Sequence, residues 1–562
     1  MNNWIKKNDS INSIKNVFLS NTGIASLDEA NNWYKKFYAD SYQIKDMNKA
    51  VELVKKYKNK NIVVVGDYDV DGQTSISILY LTLKSMGYNV AYRIPHRFSE
   101  GFGINCNIVD EIPEGSLIIT CDNGIAQVEA INYARDNDFE VIIIDHHEPM
   151  VENDNVVMPY ANVIIDPVAL KGTCEFDGYC GAGLCYKFAR MFLDGNNDEL
   201  LVKLQTLAAI GTIADVMPLT NENYALVRIA LGRMNQPQYC TTGTYALLNA
   251  TKLVSKEISS KDVGFSIAPV LNSISRLNDK GAEDGVKLLT ILDESKYHEA
   301  LNSAEACIRM NDERKQLQNE LFEVAKEEVL NNFADDIPIV LYLKEAAEGL
   351  LGPIAAKIAE EFKRPAFVVT ETPYDDILKG SARSYGNYDI KAELDKISDL
   401  LYRYGGHTGA AGLSVERQNL EEVRKALNKN ASGYEYSSDL YYDLEISMDE
   451  IPAAIDELKK YAPYGEGNPE PVFYIPEFIT LKDNRKNEFF TFMGKSGKSV
   501  KLFGCGAEAV NFTLAEKVAE IANKHPEMLT SSVKLEMIGT LSNNIFNGRI
   551  TRQIEFKDVR FK

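Results

Sequence analysis

The 562-residue sequence predicts an α/β protein. It centres on a doubly wound parallel sheet, followed by a long connector helix, a second smaller α/β domain and a C-terminal β-barrel. Three observations predict this. First, the runs Val63-Val64-Val65, Leu117-Ile118-Ile119 and Val141-Ile142-Ile143-Ile144 are short, β-branched and unbroken, which reads as fully buried parallel strands; helix-length segments follow the first two. Second, the charged segment 295–331 carries apolar residues at helical spacing, namely Leu301, Ala304, Ile308, Leu317, Leu321 and Val324. Third, residues 435–562 change character, with short alternating strands, Gly turns and many Phe and Tyr.

In chain order, residues 1–60 read as polar and mostly helical, ending in an amphipathic stretch at 46–54. Strand–helix alternation then runs to about 235, where an apolar helix from near Leu200 ends at Asp215. The segment 236–335 reads as a linker containing the connector helix. The second α/β unit, 336–432, has strand candidates at 339–343 and 366–369, and 433–562 forms the barrel. One barrel hairpin joins Phe489-Phe490-Thr491-Phe492 to Val500-Lys501-Leu502-Phe503.

Composition narrows the class. Hydrophobic content of 45% and charged content of 25% are ordinary for a soluble globular protein. There is no apolar run long enough to span a membrane, and the first nine residues lack the apolar core of a signal peptide. The eight cysteines form no CxxC pair and read as reduced thiols, so a cytoplasmic location is expected. A net charge of -20 argues against uniform attraction to nucleic acid. The balance is uneven, however: from Lys482 onward, 14 Lys/Arg face 9 Asp/Glu, an excess of +5 on a body of about -25. Such a local basic footprint suits a nucleic-acid contact.

In open α/β sheets the ligand site lies outside the carboxyl ends of the strands. The three apolar runs therefore bring Asp69, Asp71, Asp122, His146 and His147 to one rim. Two hard divalent cations need several carboxylates, one of them bridging, and an imidazole in the set suits Mn²⁺ or Mg²⁺. Asp69 and Asp71, two apart in a Gly-flanked loop, each face a different metal, and Asp122 is the natural bridge. Adjacent side chains on an extended backbone point in opposite directions. His146 is thus assigned to the metal and His147 to the substrate phosphate or leaving group. Asp145 orients an imidazole from behind, and Asp215 completes the ligand set. A single Asp after a strand is usually a helix cap or turn former; a series of them at successive strand ends is not.

The segments Asp67-Tyr68-Asp69-Val70-Asp71-Gly72, Asp122-Asn123-Gly124, Asp145-His146-His147 and Asp215 resemble the four motifs of the DHH phosphoesterase superfamily. The Asp-first form of the first motif, and Arg97-Phe98-Ser99-Glu100-Gly101-Phe102-Gly103, are similar to its RecJ branch. Gly380-Ser381-Ala382-Arg383-Ser384 and Gly405-Gly406-His407-Thr408-Gly409 resemble the DHH-associated substrate domain. The segment Pro463–Pro471 looks like the one that precedes the oligonucleotide-binding (OB) barrel of that branch. The resemblance covers about residues 45–562 in one consistent order.

The resemblance implies a 5′→3′ exonuclease on single-stranded DNA in repair and recombination, dependent on Mn²⁺ or Mg²⁺ at a two-metal site. It implies a catalytic set of Asp67, Asp145 and His147. It also implies a phosphate clamp of Arg276, Ser381, Arg383, Gly405, Gly406 and His407. The two glycines let backbone amides approach a phosphate as an anion nest, and Arg383 can bind it as a fork. Without that context, a Gly-Gly pair is a plain turn and Arg276 a surface ion pair. In the OB-like barrel, Phe490, Phe492, Phe503 and Phe546 lie among Lys495, Lys498, Lys501, Arg549 and Arg552, the mixture that single-strand binders use. Two departures stand out. Ala346 and Ala347 replace the family's Trp-His, and Asn272-Ser273-Ile274-Ser275-Arg276 replaces Asn-Ala-Ala-Gly-Arg. Expected partners are single-stranded DNA and a helicase or single-strand-binding protein; no membrane contact is expected, and the four-part plan suggests a monomer. The alternatives are a DHH phosphodiesterase acting on short oligoribonucleotides or cyclic dinucleotides, and an inactive replication scaffold.

Overall fold

Five parallel strands form the first sheet of the computed structural model, in the order Asn89–Arg93, Asn61–Val65, Leu117–Cys121, Glu140–Ile144, Val163–Ile165. The structure describes residues 3–38, 43–152, 155–372, 376–431, 439–483, 487–494, 497–546 and 549–562, with backbone alone at 545, 546 and 549. The β-branched runs are central strands, and Leu117–Cys121 is buried along its whole length. One face packs Ile62, Val64, Ile119 and Ile142 against the helices Val70–Ser85, Gly181–Leu193 and Asp198–Ala214. The other packs Val63, Val65, Ile118 and Ile143 against Cys106–Glu111 and Val128–Asp136. Chain order reverses between Asn61–Val65 and Leu117–Cys121, which makes their carboxyl ends the topological switch point.

Residues 236–296 are more than a linker. Thr242–Ala250, Ala268–Leu277 and Ala282–Leu289 are helices whose apolar faces belong to the first core. The connector helix is Tyr297–Asn332, about 54 Å at 1.5 Å per residue. It buries Ala300, Ala304 and Cys307 in the first core, and Phe322, Ala325 and Val329 in the next. Its second half thus turns a different stripe inward from the one its apolar spacing suggested: Val324 is 59% exposed and Leu317 38%. The helix Leu351–Phe362 packs on Phe322, Ala325 and Val329 instead.

The second sheet runs in the order Arg403–His407, Ala410–Glu416, Ile377–Arg383, Ala366–Glu371, Ile339–Tyr342. Only its last pair is parallel.

The C-terminal sheet has seven strands in the order Leu444–Glu445, Phe473–Ile479, Lys534–Phe546, Arg549–Phe561, Glu508–Asn511, Ser499–Phe503, Phe490–Met493. The expected barrel is not a closed ladder. Register shifts between Ile475 and Phe478, where Pro476 has no amide to donate. Among the described residues, one isolated bridge, Thr480–Gly504, joins the sheet's two sides, reinforced by Leu481 N to Phe503 O at 2.7 Å. Beside it opens a cavity of about 600 Å³ lined by Leu481, Phe503, Ile550 and Arg552.

The N-terminus belongs spatially to this C-terminal unit. Trp4–Lys6 pairs in parallel with Leu440–Tyr442, and Val17, Phe18 and Trp33 share a core with Phe473 and Phe556. Tyr224, from the helix Asn221–Leu231, contacts both Phe18 and Trp33 and docks this unit on the first domain. Among the described residues no helix is long and apolar enough to cross a membrane.

Candidate active site

The first motif spans the end of Asn61–Val65 and the start of the next helix. Asp69 is the helix N-cap, and its Oδ1 accepts from Gly72 N at 3.0 Å. A cap and a candidate ligand are thus the same residue, because the second carboxylate oxygen stays free of that bond. Asp71 lies in the first helical turn, not in a loop as expected; Oδ2 accepts from Gly181 N at 2.7 Å and Oδ1 from Ala182 N at 3.0 Å. Asp67 sits just past the strand, buried, with Oδ1 lacking a partner. The turn closes so tightly that a Cβ at Gly72 would stand 2.3 Å from the Asp67 carbonyl oxygen.

Asp122 follows Leu117–Cys121 in left-handed backbone at φ 59°. Its neighbour Asn123 ties strand ends together, donating to Val65 O at 3.1 Å and Cys121 O at 2.9 Å. His146 Nε2 stands 3.1 Å from Asp122 Oδ1, 3.6 Å from Asp215 Oδ2 and 3.7 Å from Asp71 Oδ2. Asp145 is buried; His147 Nδ1 donates to its Oδ1 at 2.7 Å, and Ile125 N to its Oδ2 at 3.0 Å. The two histidines do not point in opposite directions. Their ring centroids are 4.4 Å apart, because the strand ends at Ile144 and alternation stops before the pair.

Three ligand groupings result, each within 4.8 Å: Asp67, Asp69 and Asp122; Asp71, His146 and Asp215; and Asp122, His146 and His147. Asp122 and His146 each belong to two of them. Electrostatics shows what the cluster lacks. Burial first, then the Asp69 charge, holds Asp67 well above the usual carboxylate range, and burial with Asp71 and Asp69 does the same to Asp122. Asp215 is pushed up to about 8 by burial and then by Asp71 and Asp69. Crowded carboxylates with an unpartnered buried oxygen fit a divalent cation, whose charge removes that repulsion. Burial lowers the pKa of His146. For His147 burial acts the same way, but the hydrogen bond and charge of Asp145 reverse it to about 9. Asp145 in turn is held below its ordinary value despite burial, chiefly by His147.

The rim carries cations. Arg97 stacks over Tyr68 at 4.6 Å, and Phe102 meets the His147 ring at 5.5 Å. Glu100 has a structural task, pairing with Arg93 at 2.6 Å and accepting from His96 N. Arg276 Nη1 donates to Gly349 O at 2.8 Å, so the Ala346-Ala347 departure lies just before its contact. Burial, then Arg97, Arg314 and Arg383, lowers its pKa to about 10. Arg383 donates to Ser381 Oγ at 2.9 Å. Among the described residues, neither Arg276 nor Arg383 has a carboxylate within 4 Å, so the surface-ion-pair reading of Arg276 is not met.

Arg383, Ala410 and His407 occupy one rung of the second sheet, and Ser381, Gly412 and Gly405 another on the same face. Gly405 and Gly406 lie on a strand rather than in a turn-like nest. That strand is a sheet edge, which leaves amides unpaired. In the C-terminal unit, Phe490 and Phe492 share one side, opposite Leu502 and Val500, and Phe492 reaches solvent at 46% exposure. Phe503 turns the other way and lines the cavity with Arg552. Lys501 is paired with Glu508 at 2.7 Å. Lys495 lies outside the described residues, as do the side chains of Phe546 and Arg549.

Gly181 and Ala182 escaped the sequence reading, although glycines at 181 and 183 inside an apolar run mark a close approach, and Asn123 entered it only within Asp122-Asn123-Gly124, with no role of its own.

Family models match in the same order. The DHH family N-terminal domain matches residues 61–212, the DHHA1 domain 338–433 and the RecJ OB domain 442–558. The single-stranded-DNA-specific exonuclease RecJ of Salmonella typhimurium is 31% identical over 463 residues, covering 77% of this chain and 78% of that protein. The chain belongs to the RecJ family. RecJ of Bacillus subtilis is 32% identical over 538 residues, 93% of this chain, which spans only 64% of that longer relative. Among solved structures, RecJ from Thermus thermophilus in complex with Mn²⁺ superposes with a TM-score of 0.77 at 26% identity, covering 98% of this chain and 76% of that one. An exonuclease RecJ bound to manganese gives 0.58 at 30% identity, covering 71% and 97%.

Proposed function

We propose that this RecJ-family chain is a metal-dependent exonuclease that hydrolyses single-stranded DNA from its 5′ end, in repair and recombination. One observation carries the reading: a carboxylate–histidine cluster that shares Asp122 faces arginines without carboxylate partners. Asp69, Asp71, Asp122, His146 and Asp215 would hold the metal at a two-metal site, with Asp67 adjoining. Mn²⁺ or Mg²⁺ bound there supplies Lewis acidity and lowers the pKa of water.

The protein's own groups do the rest. His147 is oriented through Nδ1 by Asp145, whose hydrogen bond and charge push its pKa up to about 9 against burial, so Nε2 can donate to a phosphate oxygen or the departing oxygen. By distance alone His147 also reaches the ligand cluster; the Asp145 carboxylate on its Nδ1, which favours the protonated ring, supports the phosphate-facing role. Arg276, Arg383 and Ser381, with His407 and the Gly405-Gly406 edge, hold the terminal phosphate and fix its register.

The division of labour follows the cores: catalysis by the first domain, which includes the helices of 236–296, connection by Tyr297–Asn332, the phosphate clamp by 336–432 with Arg276 from the first domain, and strand binding by 433–562, whose core also takes in the N-terminal Val17, Phe18 and Trp33. A single copy carries all four parts, which fits a monomer working in the cytoplasm beside a helicase or a single-strand-binding protein.

The test uses purified protein with Mn²⁺ and single-stranded DNA labelled at either end, alongside duplex DNA and short RNA. Mononucleotides released first from a 5′ label, and lost in Asp122→Ala, are expected. Full activity in Asp122→Ala would sink the site. Cleavage confined to very short oligonucleotides would favour a small-substrate phosphodiesterase.

A further inference from the structure

The segment Pro463–Pro471 leads into the C-terminal strand Phe473–Ile479, and on its way it touches the loop of a candidate metal ligand. Gly465 and Asn468 close a turn on each other, Gly465 N donating to Asn468 O at 2.9 Å and Asn468 N to Gly465 O at 3.2 Å. Asn468 is buried and builds the turn from inside, its Nδ2 donating to Tyr461 O at 3.0 Å and Pro463 O at 2.8 Å. Within the turn, Glu466 O accepts from Leu219 N at 2.7 Å. A Cβ at Gly465 would stand 2.8 Å from Leu219 Cδ1, and one at Gly467 3.2 Å from Pro218 Cβ, so the turn lies directly on this loop. The first domain holds the flanks of the turn: Ser260 Oγ donates to Tyr464 O, Arg228 Nη1 to Ala462 O, and Lys261 pairs with Glu470.

Leu219 lies four residues beyond Asp215. Asp215 ends the helix Asp198–Ala214, and the chain turns there: Val216 N donates to Ile213 O at 3.2 Å and Met217 N to Thr212 O at 3.1 Å. This closing pattern usually has glycine in its left-handed position. Here Val216 takes that position at φ 55°, a conformation that a β-branched residue resists. Its side chain is 67% exposed, so its own packing does not hold it there. Backbone of this kind persists where its surroundings fix it. Two ties lie just downstream. Asn223 Nδ2 donates to Pro218 O at 3.1 Å, and Leu219, buried in the first core, gives its amide to Glu466 O. The first tie is internal to the first domain; the second comes from the C-terminal unit.

We infer that the turn Gly465–Asn468 is a positioning element for Asp215, so that the C-terminal unit sets the place of a metal ligand. Leu219 carries the contact. The closed turn at Val216 passes it on, because a shift of Leu219 has only three residues in which to be absorbed before it reaches Asp215. The carboxylate at stake is the one whose Oδ2 stands 3.6 Å from His146 Nε2. The inference rests on the reading of Asp215 as a ligand. It adds a mechanical coupling between the C-terminal unit and the metal centre, made through a backbone carbonyl and two glycines.

The experiment measures Mn²⁺ binding to the full chain by calorimetry, without DNA. The variants are Gly465→Val, Asp215→Asn, the two combined, and Gly504→Ala as a control. Gly465 has no positive φ, so valine there presses on Leu219 without straining its own backbone. The control strains the same unit, its Cβ falling 2.3 Å from Phe478 Cζ, away from the Asp215 loop. Gly465→Val should lower Mn²⁺ affinity about tenfold, the scale of losing a group that orients a ligand, and Gly504→Ala should leave it unchanged. In the Asp215→Asn background Gly465→Val should add no further loss, because both changes act on one ligand. Thermal unfolding checks that each variant is folded, and Gly465→Ala repeats the measurement if valine unfolds the chain. Unchanged affinity in the Gly465 variant, an equal fall in Gly504→Ala, or a full additional loss in the double variant would overturn the coupling alone. Wild-type affinity in Asp215→Asn would overturn the reading of Asp215 as a ligand, and the coupling with it.

Discussion

The amide of Gly181 donates to Asp71 Oδ2 at 2.7 Å, across 110 residues of chain. Gly181 opens the helix Gly181–Leu193, and Ala182 takes the other oxygen of the same carboxylate at 3.0 Å. A helix N-terminus therefore aims a candidate metal ligand, using amides that have no partner within the helix. The same glycine faces Asp122, whose Cβ lies 2.7 Å from the point a side chain would occupy. One residue thus sets the spacing of two carboxylates.

Gly181→Ala follows from that contact. The added methyl must displace Asp122 or the helix start, at about 1–3 kcal/mol of stability. Mn²⁺ affinity, measured by calorimetry, should fall along with the unfolding temperature. Unchanged affinity with a lowered unfolding temperature would mean that the helix start, not Asp122, gives way.

Substitutions at the two histidines should separate their roles. His146→Asn is expected to lower Mn²⁺ affinity by about 10- to 100-fold, since its Nε2 stands among Asp122, Asp215 and Asp71. His147→Asn should keep affinity and lose kcat by about 10²- to 10⁴-fold. Equal loss of affinity in both would make His147 a ligand.

Much of this site is legible in the sequence, and the limit is physical. Strand identity is local: β-branched runs of four or five residues leave little alternative, and the Asp residues after them are fixed by chain connectivity. The pairing of Asp71 with Gly181 and the entry of Phe18 and Trp33 into the C-terminal core are not local, and no periodicity encodes them. The histidine pair fails for a smaller reason, because alternation does not reach His146 and His147, two and three residues past the strand's end at Ile144. On the connector helix, Leu317 and Val324 match the helical period as well as Phe322 and Val329 do. Only the neighbouring helix decides which stripe is buried.

Metal binding should depend on pH through stability. In the metal-free protein the pKa of Asp215 is pushed up to about 8 by burial and then by Asp71 and Asp69, with Asp67 and Asp122 also raised. The folded state then holds protons that the unfolded chain releases near pH 4, so stability falls as pH rises from about 4 to about 8. Chelated protein should melt at a lower temperature at pH 8 than at pH 5. Mn²⁺ should restore most of the difference at pH 8 and little at pH 5, where protons occupy the ligands. Melting that rises with pH under chelation would contradict the crowded-carboxylate account.

Arg383→Ala should raise KM by about 10- to 100-fold, the worth of a charge-assisted hydrogen bond to phosphate, with a smaller effect on kcat. Steady-state kinetics on a 5′-phosphorylated strand tests this. A kcat effect alone would move Arg383 from binding into the chemical step.

The role of the C-terminal unit needs a test that respects its packing. Removing residues 433–562 would strip the core that buries Val17, Phe18 and Trp33 and expose Tyr224 of the first domain. Such a truncation should aggregate whatever the unit does for DNA, so its loss of activity would say nothing about binding. Point changes at the cavity rim avoid this. Lys482 and Arg552 line the cavity beside Phe503, and neither forms an ion pair among the described residues. Lys482→Glu with Arg552→Glu should leave the melting temperature within a degree or two. If each contacts one phosphate of a single strand, the slope of log affinity against log salt should lessen by about 1.4. An unchanged slope, with reduced affinity or without it, would place the strand elsewhere on the sheet, and Phe492 on the edge strand Phe490–Met493 would be the next residue to change.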